Sequence, residues 1–154
     1  MQKKEIPLYI KSFEKPNQKG TQINKNLDLS PKVPCYIFKN NMIFIKIFSL
    51  DFSFAIDKNL SHIFKKIDEF QMKVDIIQNS AISFSICLFD KYNQIDNLIK
   101  SLEEKFKIEV FKNISLYTIR HFDEQAIKVV SAGKKLLLEQ RSEKTVKLLS
   151  LIHI

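Results

Sequence analysis

The pattern of hydrophobic positions is clearest in residues 74–89, where one strand, a polar turn at Gln78-Asn79-Ser80 and a second strand are predicted. Large apolar residues alternate with small polar ones along the second strand, and successive side chains of a strand point to opposite sheet faces. We therefore expect one apolar face that needs a cover and one small, polar face. The apolar residues are Ile82, Phe84, Ile86 and Leu88, and the residues between them are Ser83, Ser85 and Cys87.

Segments with apolar residues at helical spacing lie on both sides of this hairpin in the sequence. One helix is predicted from Asn59 as its N-cap, and a second from Asn93 as its N-cap. Each carries apolar residues three or four positions apart, which places them on one helical face. These two faces would cover the apolar side of the hairpin. The predicted stripes are Leu60, Ile63, Phe64, Ile67 and Phe70 in the first helix, and Ile95, Leu98, Ile99, Leu102 and Phe106 in the second.

Two further strands frame this group. The apolar segment 35–48 contains Asn40-Asn41, a predicted turn, and then alternates over 42–48, while residues 107–112 alternate again. The resulting order is β-α-β-β-α-β, which is the ferredoxin-like plan of four antiparallel strands with two helices on one face. The predicted fold class is therefore α+β.

The same pattern restarts after Asn113 in a shorter form. A strand is predicted at 114–120, then a short helix with Asp123 as its N-cap and Gly133 as its C-terminal cap. A strand, a turn and a strand follow from residue 136 onward. This order predicts a second, reduced copy of the unit.

Both hairpins carry the sequence Gln-x-Ser at the turn, at Gln78 to Ser80 and at Gln140 to Ser142, which indicates an internal repeat. The second copy lacks the final helix and strand, so its sheet would have an open face and edge. Residues 35–41, the first copy or a second chain could complete it.

Composition adds bounds to this picture. The chain has 154 residues, enough for one ordinary domain or two very small ones, and no apolar run reaches the roughly 18 residues of a membrane span. The N-terminus shows no signal peptide, and two cysteines are too few for a disulfide framework. We expect a cytoplasmic protein without a membrane partner, in which Cys87 is a small buried thiol.

The net charge of +8 raises the question of a nucleic-acid partner. The lysines are scattered along the chain, and the sequence contains neither an RNA-binding aromatic motif nor a zinc-finger spacing nor a long basic tail. We therefore do not expect nucleic acid as a partner. A basic, nucleic-acid-binding ferredoxin-like domain is kept as an alternative hypothesis, behind the two functions given below.

Catalytic and metal-binding patterns are not found in the sequence. The three histidines are far apart, and neither a glycine-rich phosphate loop nor a Ser-His-Asp arrangement occurs. Paired carboxylates such as Asp68-Glu69 are adjacent on helices and indicate solvated charge. The residues alone thus favour a binding module over a catalyst.

One charged residue, Asp75, stands in the middle of an apolar strand. It could lie in water, on the outer face of the sheet or at a strand end. Alternatively, it could face an interface and hold the ammonium group of a ligand by an ion pair, with backbone groups at the strand edge binding the rest of a zwitterion.

The chain resembles the C-terminal regulatory part of aspartate kinase, which carries two ACT domains. Residues 6–23 are similar to the last strand and exit loop of the catalytic domain, and residues 107–120 to the passage between the ACT domains. The stretches VDIIQNSAISFSICL (74–88) and LLLEQRSEKTVKLL (136–149) are similar to the hairpins of the first and second ACT domain.

This resemblance implies three regions. Residues 1–34 would be a remnant of the kinase-domain edge with a linker, residues 35–112 a first ACT domain, and residues 113–154 a second, shortened ACT domain. Residues 1–34 hold all four prolines and are loop-like after one short strand at 6–10, which also permits a flexible tail.

The resemblance also implies a function. The family phosphorylates the β-carboxylate of L-aspartate with ATP, the first step towards lysine, threonine and methionine, and its ACT domains bind lysine or threonine as feedback inhibitors at interfaces between subunits. The expected partners are an effector amino acid, a second copy in a homodimer through the ACT sheets, and a kinase catalytic domain in cis or in trans. No cofactor is expected in this chain, because ATP and Mg²⁺ would belong to the kinase domain.

By position, the resemblance assigns the ligand amine to Asp75 and the ligand carboxylate to backbone groups near Ile76 and Ser80. Gln78 and Asn79 complete the turn at this site. The loop before the first helix adds two further residues. These are Phe52 and Asp57.

Three departures from the family pattern limit these expectations. The loop at 55–59 has no glycine, Ala81 follows the turn serine where a glutamate is common, and the Lys-Phe-Gly-Gly motif of the catalytic domain does not occur. The chain alone should therefore not phosphorylate aspartate. The alternative function is an ACT-like interaction and dimerisation module that has lost ligand binding.

Overall fold

The structure is a computed structural model that describes residues 7–23, 32–49 and 56–151, with only the backbone described for 56–58. Its contacts divide the chain into two compact units, Met1–Val33 and Pro34–Ile154.

The first unit contains a two-stranded antiparallel ribbon of β1 (Leu8–Ile10) and β2 (Thr21–Ile23). Gly20 has a φ of +70°, and a Cβ added there would lie 2.4 Å from the carbonyl oxygen of Ile10. Only glycine therefore fits at this position, directly before β2. The strand predicted at 6–10 is present as β1, but the prediction that the rest of this region is loop is wrong at β2.

In its described residues, the second unit is a six-stranded antiparallel sheet with three helices, which confirms the α+β class. The strand order is β4-β5-β3-β6-β8-β7. The elements are β3 (Cys35–Ser49), α1 (Ile56–Glu69), β4 (Lys73–Asn79), β5 (Ser83–Phe89), α2 (Ile95–Glu103), β6 (Phe106–Arg120), α3 (Glu124–Ser131), β7 (Leu136–Arg141) and β8 (Thr145–Leu151).

Two long strands, β3 and β6, run through the centre of the sheet. The predicted turn at Asn40-Asn41 and the predicted break at Asn113 are wrong, because both lie inside continuous strands of 15 residues. Asn41 and Asn113 have φ values of 56° and 58°, which asparagine tolerates better than most residues, and the register of β3 against β6 shifts on either side of Met42.

This continuous pairing completes the second copy. Cys35 to Lys39 pair with residues 116–120, so the first half of β3 supplies the second copy with its fourth strand. Of the three segments that the sequence allowed for this role, residues 35–41 are the ones the structure places there.

The helix core lies between the first copy's sheet and helices α1 and α2. The predicted apolar face is confirmed for Phe84, Ile86 and Leu88, which are at most 1% exposed. Ile82 is the exception, since it is 64% exposed at the turn. The turn lies later than predicted: Gln78 and Asn79 are still in β4, and the Ser80 amide donates to the Ser83 carbonyl at 2.9 Å.

The inner core lies on the opposite sheet face, which the sequence predicted to be small and polar. Leu137 and Leu138 of β7 pack there with Ile76 of β4, although these strands are at opposite ends of the strand order, so the sheet curls. Cys87 is fully buried in this core, as predicted. Further members are Met42, Phe44, Phe111, Ile114, Leu116, Leu149 and Leu151.

Helix α3 covers only part of the second copy's outer face. It buries Ala126, Ile127 and Val130 against the sheet. Tyr36 and Phe38, on the strand that completes this copy, stay 43% and 58% exposed. The open face predicted for the reduced copy is therefore present.

The starts of the first two helices differ from the prediction. Asn59 is not an N-cap, because α1 already begins at Ile56. The start of α2 is held by Asp90 rather than Asn93: the Asp90 carboxylate accepts hydrogen bonds from the Gln94 amide at 3.0 Å and from the Ile95 amide at 2.8 Å. A carboxylate at the N-terminal end of a helix also interacts favourably with the helix dipole.

The caps predicted for the third helix are correct. Asp123 is the N-cap of α3 and accepts from the Ala126 amide at 2.7 Å. Gly133 follows the C-cap residue with a φ of +67°, a left-handed conformation in which glycine carries no steric cost.

Candidate functional site

The internal repeat is visible in the hydrogen bonds of the two hairpins. Ser80 Oγ lies 3.2 Å from the Ser83 carbonyl oxygen, and Ser142 Oγ lies 3.1 Å from that of Thr145. Each hairpin also has a register shift in its first strand, at the same distance before the turn serine. The shift lies between Val74 and Ile76 in the first hairpin and between Leu136 and Leu138 in the second. A bulge therefore occurs at the same place in both copies.

Asp75 is the bulged residue of the first copy, and Leu137 has the same position in the second. A bulge re-aims the side chain that it carries. The first copy therefore presents a carboxylate where the second presents an apolar group. Only the first copy can bind an ammonium group at this position.

The Asp75 side chain is 15% exposed and is paired within the chain. Its Oδ1 accepts a hydrogen bond from Lys39 Nζ, and its backbone carbonyl accepts one from Lys147 Nζ at 2.9 Å. Its Oδ2 is buried and has no hydrogen-bond partner among the described residues. An unsatisfied buried acceptor of this kind costs on the order of 1–3 kcal/mol, so Oδ2 is a favourable place for a ligand donor.

Asp75 lines a hollow of about 310 Å³. This volume is at the lower end of the range for small-molecule sites. Its walls combine one carboxylate, two ammonium groups and apolar side chains, a set that matches a small zwitterion. The lining residues are Lys39, Asn40, Met42, Lys73, Asp75 and Phe89.

The other predicted site residues do not line this hollow. The Ile76 side chain is 2% exposed in the inner core, so only its backbone could serve a ligand. Asn79 is exposed at the end of β4, and Ser80 uses its hydroxyl to accept from the Ser83 amide at 3.1 Å. Phe52 and the side chain of Asp57 lie outside the described residues.

Gln78 lines a second hollow of about 290 Å³, on the inner side of the curled sheet. Lys46 reaches into the same region, with its Nζ 5.9 Å and 5.7 Å from the ring centres of Phe44 and Phe111. Two residues that the sequence assigned to one site, Asp75 and Gln78, therefore line two different hollows in this structure. The other lining residues are Phe48, Ser83, Ser85, Leu137, Leu138 and Glu139.

Sequence reasoning missed Lys39 and Lys147 as partners of Asp75. A signal was present for Lys147, since it interrupts the apolar strand TVKLLSL as Asp75 interrupts VDII. Two opposite charges that each interrupt an apolar strand are therefore candidates for contact with each other. In the described part of the chain, no group of three His, Cys, Asp or Glu residues could hold a metal ion.

Three described ionisable groups have shifted pKa values, and hydrogen bonds to Glu139 and Glu124 raise that of Arg141. Burial, and then the negative charge of Asp75, raise the pKa of the Cys87 thiol to about 12. Burial, and then the positive charges of Lys105, Lys66 and Lys65, lower the pKa of His62. The Nε2 atom of His62 is buried and has no hydrogen-bond partner among the described residues.

These shifts predict unequal thiol reactivity. Only a thiolate attacks a disulfide reagent, and both the raised pKa and the burial protect Cys87, whereas Cys35 is exposed. We expect Ellman's reagent at pH 8 to titrate one thiol rapidly in the native protein and the second only in denaturant. Rapid native titration that persists in a Cys35→Ser variant would contradict the buried position of Cys87.

Comparison with known proteins gives a consistent result. No protein-family model matches the chain. Among curated proteins it is 23% identical over 130 residues to aspartokinase 2, chloroplastic, of Arabidopsis thaliana, an alignment that covers 75% of this chain. The chain spans only 23% of the length of that relative.

Solved structures with the same fold are aspartate kinases and their regulatory subunits. The chain matches Clostridium acetobutylicum aspartate kinase with a TM-score of 0.78 at 16% identity, over 97% of this chain and 39% of that one. It matches E. coli aspartokinase III in complex with lysine and aspartate with a TM-score of 0.73 at 16% identity, over 96% and 36%.

A third match is the ligand-free regulatory subunit of aspartate kinase from Thermus thermophilus, with a TM-score of 0.54 at 13% identity, over 75% of this chain and 86% of that one. The chain thus has the regulatory fold found in aspartate kinases, and the resemblance seen in the sequence is confirmed at the level of the fold. None of the described helices is long and apolar enough to cross a membrane.

Proposed function

We propose that this chain is the regulatory region of an aspartate kinase and that it binds an effector amino acid at Asp75. The observation that carries the proposal is Asp75, whose carboxylate has one buried oxygen without a partner among the described residues and which lines a hollow of about 310 Å³ in a chain with this fold. The effector's ammonium would bind Asp75, and its carboxylate would bind Lys73 or backbone groups near Ile76 and Ser80.

The chemical reaction would belong to a kinase catalytic domain, in cis or in trans. That domain would use ATP and Mg²⁺ to phosphorylate L-aspartate, and binding of lysine or threonine to this chain would inhibit it. Such feedback would control the synthesis of lysine, threonine and methionine in the cytoplasm. The structure of E. coli aspartokinase III with lysine and aspartate supports lysine as the first effector to test.

We also propose the domain division and the assembly that the resemblance implies. Residues 1–34 would derive from the kinase-domain edge, 35–112 would form the first ACT domain and 113–154 the second, to which 35–39 contribute a strand. A homodimer would form through the ACT sheets. The exposed apolar residues Ile77 and Ile82 at the β4–β5 hairpin support this surface.

The alternative function is an interaction module that has lost ligand binding. It is favoured by the ion pair that already occupies Asp75 and by Ala81 at the turn. Ligand binding separates the two functions directly.

Thermal unfolding with lysine, threonine and methionine tests the proposal. A ligand at 100 times its Kd stabilises the folded state by about 2.7 kcal/mol. For a chain of this size we expect Tm to rise by about 5–10 °C with one of the three. Light scattering on the same samples should give the molar mass of a dimer.

The control for this experiment is a pair of matched variants. Asp75→Asn should abolish the shift, whereas Asp96→Asn, at an exposed carboxylate on α2, should retain it. If none of the three amino acids raises Tm, the interaction module is the correct function. If the shift survives in Asp75→Asn, the ligand binds elsewhere.

A further inference from the structure

We propose that Lys39 is an internal competitor for the effector, and that binding exchanges one ammonium group for another at Asp75. This inference rests on the proposed function, because it concerns how the same carboxylate is controlled. In the described structure, Lys39 Nζ already occupies Oδ1 of Asp75. An arriving ammonium group therefore meets a carboxylate that is paired on one side.

The exchangeable partner is Lys39 rather than Lys147. The Lys39 side chain is 40% exposed, so its ammonium can return to water when it leaves Asp75. Lys147 instead donates to the backbone carbonyl of Asp75, at 2.9 Å, which leaves the carboxylate itself to Lys39 and the ligand. Displacement of Lys39 would open Oδ1 as well as Oδ2 to the ligand's ammonium.

The position of Lys39 links the two copies. Asp75 lies on β4 of the first copy, whereas Lys39 lies on the half of β3 that pairs with 116–120 in the second copy. A second polar contact joins the hairpins, from Gln140 Nε2 to the Ile77 carbonyl at 3.3 Å. The exchange would therefore break an ion pair between the copies and carry the signal of binding from the first copy to the second.

The competition also sets the affinity. A ligand that binds only when the carboxylate is available has its apparent Kd raised by the inverse of the available fraction. If the Lys39 pair is closed about 90% of the time, removal of Lys39 tightens binding about tenfold. The matched control is Lys112, an exposed lysine that is paired with Asp96 outside the lining of this hollow.

Titration calorimetry with L-lysine and L-threonine tests the exchange, with the full chain as wild type, Lys39→Met, Lys39→Gln and Lys112→Met. We expect Lys39→Met to bind about tenfold more tightly than wild type. Lys39→Gln should bind more tightly as well, and it keeps a hydrogen-bond donor beside Asp75 if the methionine variant folds poorly. Lys112→Met should stay within about threefold of wild type, because its ion pair lies outside the effector hollow.

The outcomes separate this inference from the proposed function. Binding by the Lys39 variants where wild type binds weakly or not at all supports the exchange. Equal or weaker binding by both Lys39 variants, with measurable wild-type binding, overturns the exchange and leaves the effector site in place. If neither amino acid binds any variant, the effector site itself is overturned, and the exchange with it.

Discussion

Replacement of Phe84 by alanine should lower the free energy of unfolding by about 3–5 kcal/mol, the largest single effect that we expect in this chain. Phe84 is 1% exposed in the helix core, and its ring meets that of Phe64 edge to face, with centres 5.7 Å apart. The truncation removes a large buried side chain and leaves a cavity between β5 and α1. Urea unfolding followed by circular dichroism measures the change.

A matched phenylalanine controls for the substitution itself. Phe38 is 58% exposed on the open face of the second copy, so Phe38→Ala should change the stability of the isolated chain by less than about 1 kcal/mol. Equal losses in the two variants would mean that α1 does not cover β5 as described.

The second large effect concerns the ion pair between Lys39 and Asp75. Lys39→Met alone should lower the free energy of unfolding by about 1–3 kcal/mol, because it leaves a carboxylate that is 15% exposed without its charged donor. Asp75→Leu alone should cost less, because Lys39 is 40% exposed and can turn to water. The double variant should be close to wild type.

The second copy gives the physical reason for the near-neutral double variant. It has Leu137 at the position of Asp75, and that leucine packs against the inner core. This ion pair is partly buried. Replacement of both partners of a buried pair by apolar groups is often neutral or stabilising, whereas removal of one partner is not. A double-mutant cycle by urea unfolding measures the coupling, and strictly additive losses would show that the two side chains do not interact.

Local patterns were sufficient for most of the fold. Alternation predicted the buried face of β5, helical spacing predicted the cover of α1 and α2, and the cap at Asp123 was correct because all of these depend on neighbours in sequence. The Gln-x-Ser repeat predicted two equivalent hairpins. The structure adds that their bulges are equivalent too.

Features that depend on distant residues could not be predicted in this way. Asn40-Asn41 has the composition of a turn, but β3 pairs with β6 on both sides of it, so the strand continues through a local irregularity at Asn41. The ion pair of Asp75 joins residues 36 positions apart, and its backbone contact with Lys147 joins residues 72 positions apart. The sequence therefore singled out the Asp75 carboxylate, but it did not predict the two lysines that contact Asp75.

The polar contacts along β4 also determine how copies of this chain can associate. β4 is an end strand of the sheet, and its carbonyl groups at Asp75 and Ile77 are taken by side chains of Lys147 and Gln140. An exposed strand edge is a template for open-ended β-aggregation, and lysine beside it is a known protection. Any strand that adds here must first displace both side chains, so these contacts protect this edge of the sheet against strand addition.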